Sequence, residues 1–304
     1  MNNPGKKKVI VICGPTAVGK TAVAIRLAKE YGTGIISADS RQCYRELDIG
    51  VARPSPEELA QVPHYFIATH SITEDITAAA FEEYALQKTE EIFRDKDTVI
   101  MAGGTGLYIR AFCEGLDLIP AVPAAIREQV ISQYREKGLD WLQEEVKRND
   151  PLFYASGEIQ NPQRMMRALE VWLSTGRSVL SFRKGTKAVR DFQIIRIGLE
   201  LPREELNRRI DARVDAMIKA GLVEEVRGLT GYRNRNALQT VGYAEILDYM
   251  DGKTSLEEAV ALIKIHTRQY AKRQMTWFKK VSLVHWTDPR AMGSIFSLLD
   301  SGKQ

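Results

Sequence analysis

Lys20 and Thr21 close the run Gly14-Pro15-Thr16-Ala17-Val18-Gly19-Lys20-Thr21, whose residue types and spacing suit the binding of phosphate. Gly14 and Gly19 permit a tight turn whose backbone N–H groups point inward, and the helix that follows adds the positive end of its dipole. Lys20 reaches terminal phosphate oxygens, and the Thr21 hydroxyl is placed to ligate Mg²⁺. The run does not say whether the phosphates belong to ATP or to another diphosphate.

Asp39 ends a short apolar stretch from Ile35, so in an open parallel sheet it looks into the same crevice as Lys20. With Ser40, Arg41 and Gln42 it supplies a base, a hydroxyl, a cation and an amide within four residues, a set suited to a polar substrate. A third apolar stretch, 97–102, runs into Gly103-Gly104-Thr105-Gly106. A P-loop NTPase carries an Asp there to hold Mg²⁺ through water, whereas glycines let another molecule's backbone or base approach the sheet edge. Arg208, Arg209 and Arg213 lie on a helical pattern that starts at Glu204 and runs to Arg227, placed to close over phosphates as a lid.

Strands alternate with helices around these residues, which implies an α/β fold with a parallel P-loop NTPase-like sheet flanked by helices. Strand signals vanish from 120 to about 187, where helices are predicted over 124–137, 139–148 and 163–174. That stretch reads as an all-helical insertion domain, dividing the chain into 1–119, 120–188 and 189–304. Arg164 and Arg167 stand three apart on one helical face, suited to phosphate. Over 261–280 every charge is basic, and Lys264, Arg268 and Lys272 form one stripe with Tyr270, Trp277 and Phe278 interleaved. This pattern predicts a nucleic-acid face. Arg53 is assigned to a loop, either touching phosphate or solvated at the surface, His64 to packing, and the stretch beyond Asp288 to a mobile tail.

Of 304 residues 44% are hydrophobic and 27% charged, the balance of a chain able to bury a large core, with no apolar run long enough for a membrane span. A net charge of +4 is modest, so only its distribution argues for a polyanionic partner. Three widely spaced cysteines read as reduced thiols, and the N-terminal eight residues lack a secretory signal. A cytoplasmic location is expected.

Four segments together resemble the tRNA dimethylallyltransferase (tRNA isopentenyltransferase) family: residues 14–21, 37–42, 103–110 and 164–171. Residues 209–217, 221–226 and 239–243 add to the likeness. Two positions depart from the family pattern: Pro162 stands where Asp is usual, bearing on a helix cap, and Ala244 where Lys is usual, bearing on a tRNA contact. The resemblance implies that residues 14–21 hold the diphosphate of dimethylallyl diphosphate. It implies that the acceptor is the exocyclic amine of the adenine beside the anticodon, position 37, with N6-isopentenyladenosine and diphosphate as products. Asp39 would accept the amine proton, with Lys20, Arg213 and Mg²⁺ at Thr21 stabilising the leaving group. By the same resemblance Asp39, Ser40, Arg41, Gln42, Gln163, Arg164, Met165, Met166 and Arg167 contact the anticodon stem-loop, and Thr105 and Arg127 lie along the tRNA's path. A monomer is expected. The rival readings are a P-loop small-molecule or nucleoside kinase using ATP and a non-catalytic RNA-binding switch.

Overall fold

The computed structural model describes residues 7–157 and 159–301, so the first six residues, on which the reading of the N-terminus rests, lie outside it. The elements of the first segment are β1 (Lys8–Cys13), α1 (Lys20–Glu30), β2 (Ile35–Ser37), α2 (Pro56–Leu59), β3 (His64–Tyr65), α3 (Ala78–Ile92), β4 (Thr98–Gly103) and α4 (Gly106–Glu114). An insertion follows with α5 (Ala124–Asn149), α6 (Pro151–Ser156) and α7 (Pro162–Thr175). The last segment holds β5 (Gln193–Leu199), α8 (Arg203–Lys219), α9 (Leu222–Gly228), α10 (Tyr243–Met250), α11 (Leu256–Phe278), β6 (Val284–Thr287) and α12 (Met292–Ser301). Gly115–Ala188 forms one compact unit, and the residues on either side of it together form the other.

The sheet is six-stranded in the order β3-β2-β4-β1-β5-β6, and every pairing is parallel. β1 reads as a continuous apolar run because it feeds two cores: Val9, Val11 and Cys13 enter one, Ile10 and Ile12 the other. β4 divides in the same way, Val99 and Met101 against Ile100. Since β4 lies between β1 and β2, the loops after β1 and β2 diverge around it and open a crevice at the strands' carboxyl ends. All three cysteines are free and buried. No helix among the described residues is long and apolar enough to cross a membrane.

Within the insertion, Gly138 takes non-helical angles (φ 77°, ψ −166°) inside α5, dividing that element where the sequence reading ends its first helix. Asn161 caps α7 by accepting from Arg164 N at 3.2 Å, and Pro162 occupies the first turn, where its missing N–H costs nothing. The cap thus survives the Pro162 departure. Met165, Met166 and Leu169 pack with Val130, Leu142 and Phe153 in this unit's own core.

Three expectations need correction. The pattern from Glu204 to Arg227 is two helices, because Gly221 adopts φ 98° and turns the chain between α8 and α9. The apolar stretch 63–68, which reads as a full strand in the sequence, contributes only the two-residue strand β3 at the sheet edge. The supposed mobile tail contains α12, whose Met292, Ile295 and Leu299 pack with Ile10, Leu27 and Ile210. Their spacing of three and four residues lays one apolar stripe on the core. Ile295 is 1% exposed, so Ile295→Ala should cost about 2–4 kcal/mol of stability by urea unfolding at unchanged m-value. A loss under about 0.5 kcal/mol, the range of surface substitutions, would place α12 off the core.

Candidate active site

β1 delivers the chain into the Gly14 turn, and α1 begins at Lys20. Gly14 sits at φ 147°, and a Cβ there would lie 2.6 Å from the Leu199 carbonyl oxygen, so the turn presses against the end of β5. The Thr16 N–H is not free for phosphate: it donates to Gln274 Oε1 at 2.9 Å. The cradle amides are therefore those from Ala17 onward, with Ala17 itself held at φ 64°. Lys20 Nζ donates to the carbonyls of Gly14 (3.1 Å) and Pro15 (2.8 Å). Burial pulls its ammonium down to about 8, with Asp39 opposing the shift and Arg213 adding to it. From α8, Arg213 reaches Thr16 Oγ1 at 3.4 Å and Arg209 reaches the Val18 carbonyl at 3.5 Å. Arg208 is exposed on the same helix.

β4 positions Asp39. The Ala38 N–H donates to Ala102 O at 2.8 Å and the Ala38 carbonyl accepts from Thr105 N at 3.1 Å. Asp39 Oδ1 then accepts from the N–H groups of Arg41 (2.9 Å) and Gln42 (3.3 Å), which leaves Oδ2 available to another donor. Thr105 Oγ1 accepts from Ser40 N at 3.0 Å. The rest of the loop is tied down from behind. Glu225 accepts from Ile49 N (2.7 Å), Gly50 N (3.1 Å) and the Tyr243 hydroxyl (2.6 Å).

Several sequence expectations change here. The glycines after β4 do admit a close neighbour, but the chain supplies it: a Cβ would meet Ala38 O at 2.1 Å from Gly103, Gln274 Nε2 at 2.3 Å from Gly104 and the Trp277 ring at 2.2 Å from Gly106. The Gln42 amide is spent inside the protein on Ser37 Oγ and the carbonyls of Val51 and Ala52. Arg53 is not a solvated surface residue, because it binds the carbonyls of Tyr44, Arg45 and Leu47. The basic stripe of α11 is largely internal: Lys264 pairs with Asp215 at 2.7 Å and Arg268 clasps Asp211, both from α8, while Phe278 is core. Lys272, Arg273 and Lys280 stay exposed.

On the insertion, Arg127, Gln163 and Arg164 are exposed, and Arg167 pairs with Glu170 at 3.5 Å. Met165 and Met166 do not reach a surface: they are 0% and 6% exposed, so their side chains cannot meet RNA without unpacking that core. Gln274 and Glu225 were not found by sequence reasoning, since the loop residues they hold, Thr16 and Gly104 for one and Ile49 and Gly50 for the other, are far away in the sequence.

A glycine turn opening a helix at Lys20, Arg209 and Arg213 reaching that turn, a carboxylate on the neighbouring loop and glycines after β4 are the parts of a P-loop group-transferase. A family model described as IPP transferase matches residues 42–281. A tRNA dimethylallyltransferase of Cytophaga hutchinsonii is 46% identical over 98% of both chains, and one of Phocaeicola vulgatus is 43% identical over 96% of this chain and 98% of its own. Among solved structures, the full-length tRNA isopentenylpyrophosphate transferase of Bacillus halodurans aligns with a TM-score of 0.72 at 34% identity, covering 98% of this chain and 97% of that one. A eukaryotic dimethylallyltransferase described as acting on tRNA aligns with a TM-score of 0.78 at 26% identity, over 94% and 75% of the two chains. The chain belongs to the IPP transferase family.

The lowered Lys20 pKa sets a pH signature. Burial lowers the pKa of its amine to about 8, whereas an anion bound beside it favours the ammonium, so binding of inorganic diphosphate at alkaline pH should draw a proton from the buffer. Calorimetry with inorganic diphosphate at about pH 8.5, in buffers of different ionisation enthalpy, should show wild type taking up more protons than Lys20→Met. Equal uptake by the two would contradict this assignment.

Proposed function

We propose that the chain transfers a dimethylallyl group from dimethylallyl diphosphate to the exocyclic amine of adenine 37 in tRNA, releasing diphosphate. The observation that carries this reading is the pairing of a phosphate cradle with Asp39 across β4, whose end offers glycine backbone where an NTPase holds its metal carboxylate. The names borne by relatives over nearly the full chain support prenyl transfer over phosphate transfer. A monomer working in the cytoplasm, where its tRNA substrate resides, fits the same reading.

The chemistry is a displacement. The amine nitrogen forms a bond to the allylic carbon as the carbon–oxygen bond to diphosphate breaks, and the departing proton passes to Asp39 Oδ2. Lys20, Arg213 and the amides from Ala17 to Thr21 stabilise the growing charge on the leaving group. Burial lowers the Arg213 pKa, yet a guanidinium stays charged at neutral pH. No three His, Cys, Asp or Glu side chains cluster to cage a metal among the described residues. Thr21, half-buried at the start of α1, is a hard oxygen ligand of the kind Mg²⁺ takes together with phosphate oxygens. Bound there, Mg²⁺ would offset diphosphate charge. Reaching the crevice requires the adenine to leave its stack, at a cost of a few kcal/mol. Thr105, Arg127, Gln163 and Arg164 are the contacts we assign to the anticodon stem-loop.

Asp39→Asn removes the proton acceptor while leaving its Oδ1 able to accept from Arg41 and Gln42. Transfer of labelled dimethylallyl to unmodified tRNA should fall by about 10²–10⁴ in kcat, with affinity for dimethylallyl diphosphate nearly unchanged. Full kcat in Asp39→Asn would remove Asp39 from the chemistry.

A further inference from the structure

The side chain of Gln274, 7% exposed near the C-terminal end of α11, spends both ends of its amide on the catalytic edge of the sheet. Oε1 accepts from Thr16 N at 2.9 Å in the diphosphate cradle. Nε2 donates to Gly104 O at 2.9 Å in the turn after β4. Gly104 adjoins Thr105, whose N–H holds Ala38 and whose hydroxyl holds Ser40, the two residues flanking Asp39. One planar amide therefore links the loop that carries the leaving group to the loop that carries the base. The glycines fit this link, because a Cβ at Gly104 would lie 2.3 Å from Gln274 Nε2 and one at Gly106 would lie 2.2 Å from Trp277, one helical turn beyond Gln274.

We infer that Gln274 is a positioning residue: it holds the diphosphate cradle and the Asp39 loop in one register, and sets the alignment of donor and acceptor rather than the affinity for either. This rests on the prenyl-transfer reading above. Lys20 is held by the carbonyls of Gly14 and Pro15 rather than by Gln274, so losing the Gln274 amide leaves its hydrogen bonds in place. What changes is the freedom of the two loops to shift relative to each other. Displacement is sensitive to that freedom, since a misplacement of about 1 Å can cost about 10²-fold. A half-buried N–H at Thr16 and a buried carbonyl at Gly104, each stripped of its partner, drive such a shift.

The test is a double-mutant cycle on two residues approaching the link from opposite sides. Gln274→Met preserves length without hydrogen bonds, and Gly104→Ala pushes Nε2 off the carbonyl. Steady-state transfer of labelled dimethylallyl to tRNA gives kcat and KM, and inorganic diphosphate gives Kd. Each single variant should lose about 10–100-fold in kcat, with KM for dimethylallyl diphosphate and Kd within about 3-fold of wild type. Gln274→Glu, which keeps an acceptor for Thr16 N but loses the donor to Gly104 O, should fall between wild type and Gln274→Met. The double variant should lose little more than the worse single one, because both break the same link. Unchanged kcat, a loss confined to KM, or losses that multiply in the double variant would each overturn the inference. Should Gln274→Met fail to fold, Gly104→Ala and Gln274→Glu decide by the same kcat and KM criteria. Wild type that transfers no allyl label would instead refute the prenyl-transfer reading itself.

Discussion

A diphosphate that departs as an anion must find its hydrogen-bond donors already fixed, because donors that move into place at that moment cost the free energy they were meant to supply. This preorganisation is what the packing around the cradle provides. The Gly14 turn is wedged against the Leu199 carbonyl, the Thr16 N–H is tied to Gln274, and Arg213 reaches Thr16 from α8. Lys20 stands half-buried among them, and burial lowers the pKa of its ammonium.

The same constraint explains the sheet. With β4 between β1 and β2, the loops bearing Lys20 and Asp39 come from strands on either side of it and can both face the crevice. The turn after β4 must then be thin enough for the Ala38 backbone, Gln274 and Trp277 to close upon it, which glycine at 103, 104 and 106 permits. Charge on α11 serves this packing. Asp211 and Asp215, one turn apart on α8, meet Arg268 and Lys264, one turn apart on α11, and hold the two helices side by side.

The cradle, the Asp39 loop and the helical insertion were legible because each is written in consecutive residues: a glycine turn between strand and helix, a carboxylate at a strand end, a 3.6-residue period without strand runs. The role of α11 was not. Its basic stripe looked unpartnered because the answering acids lie about fifty residues earlier on another helix, and nothing near Gln274 announces partners at Thr16 and Gly104. The glycines after β4 signalled a close approach without saying what approaches. Met165 and Met166 followed the family motif into the list of RNA contacts, although their helical spacing places them with Leu169 on the buried side of α7. At the end of the chain, the stripe of Met292, Ile295 and Leu299 was passed over because no strand follows to mark it as part of the fold.

The central claim is that this cradle serves an allylic diphosphate and not a nucleoside triphosphate. The direct measurement gives the purified protein Mg²⁺ and unmodified tRNA with either labelled dimethylallyl diphosphate or γ-labelled ATP, and follows where each label goes. The account predicts allyl label on the tRNA and no phosphate transfer from ATP. Phosphate transferred to a small acceptor, with the tRNA unlabelled by either donor, would contradict it.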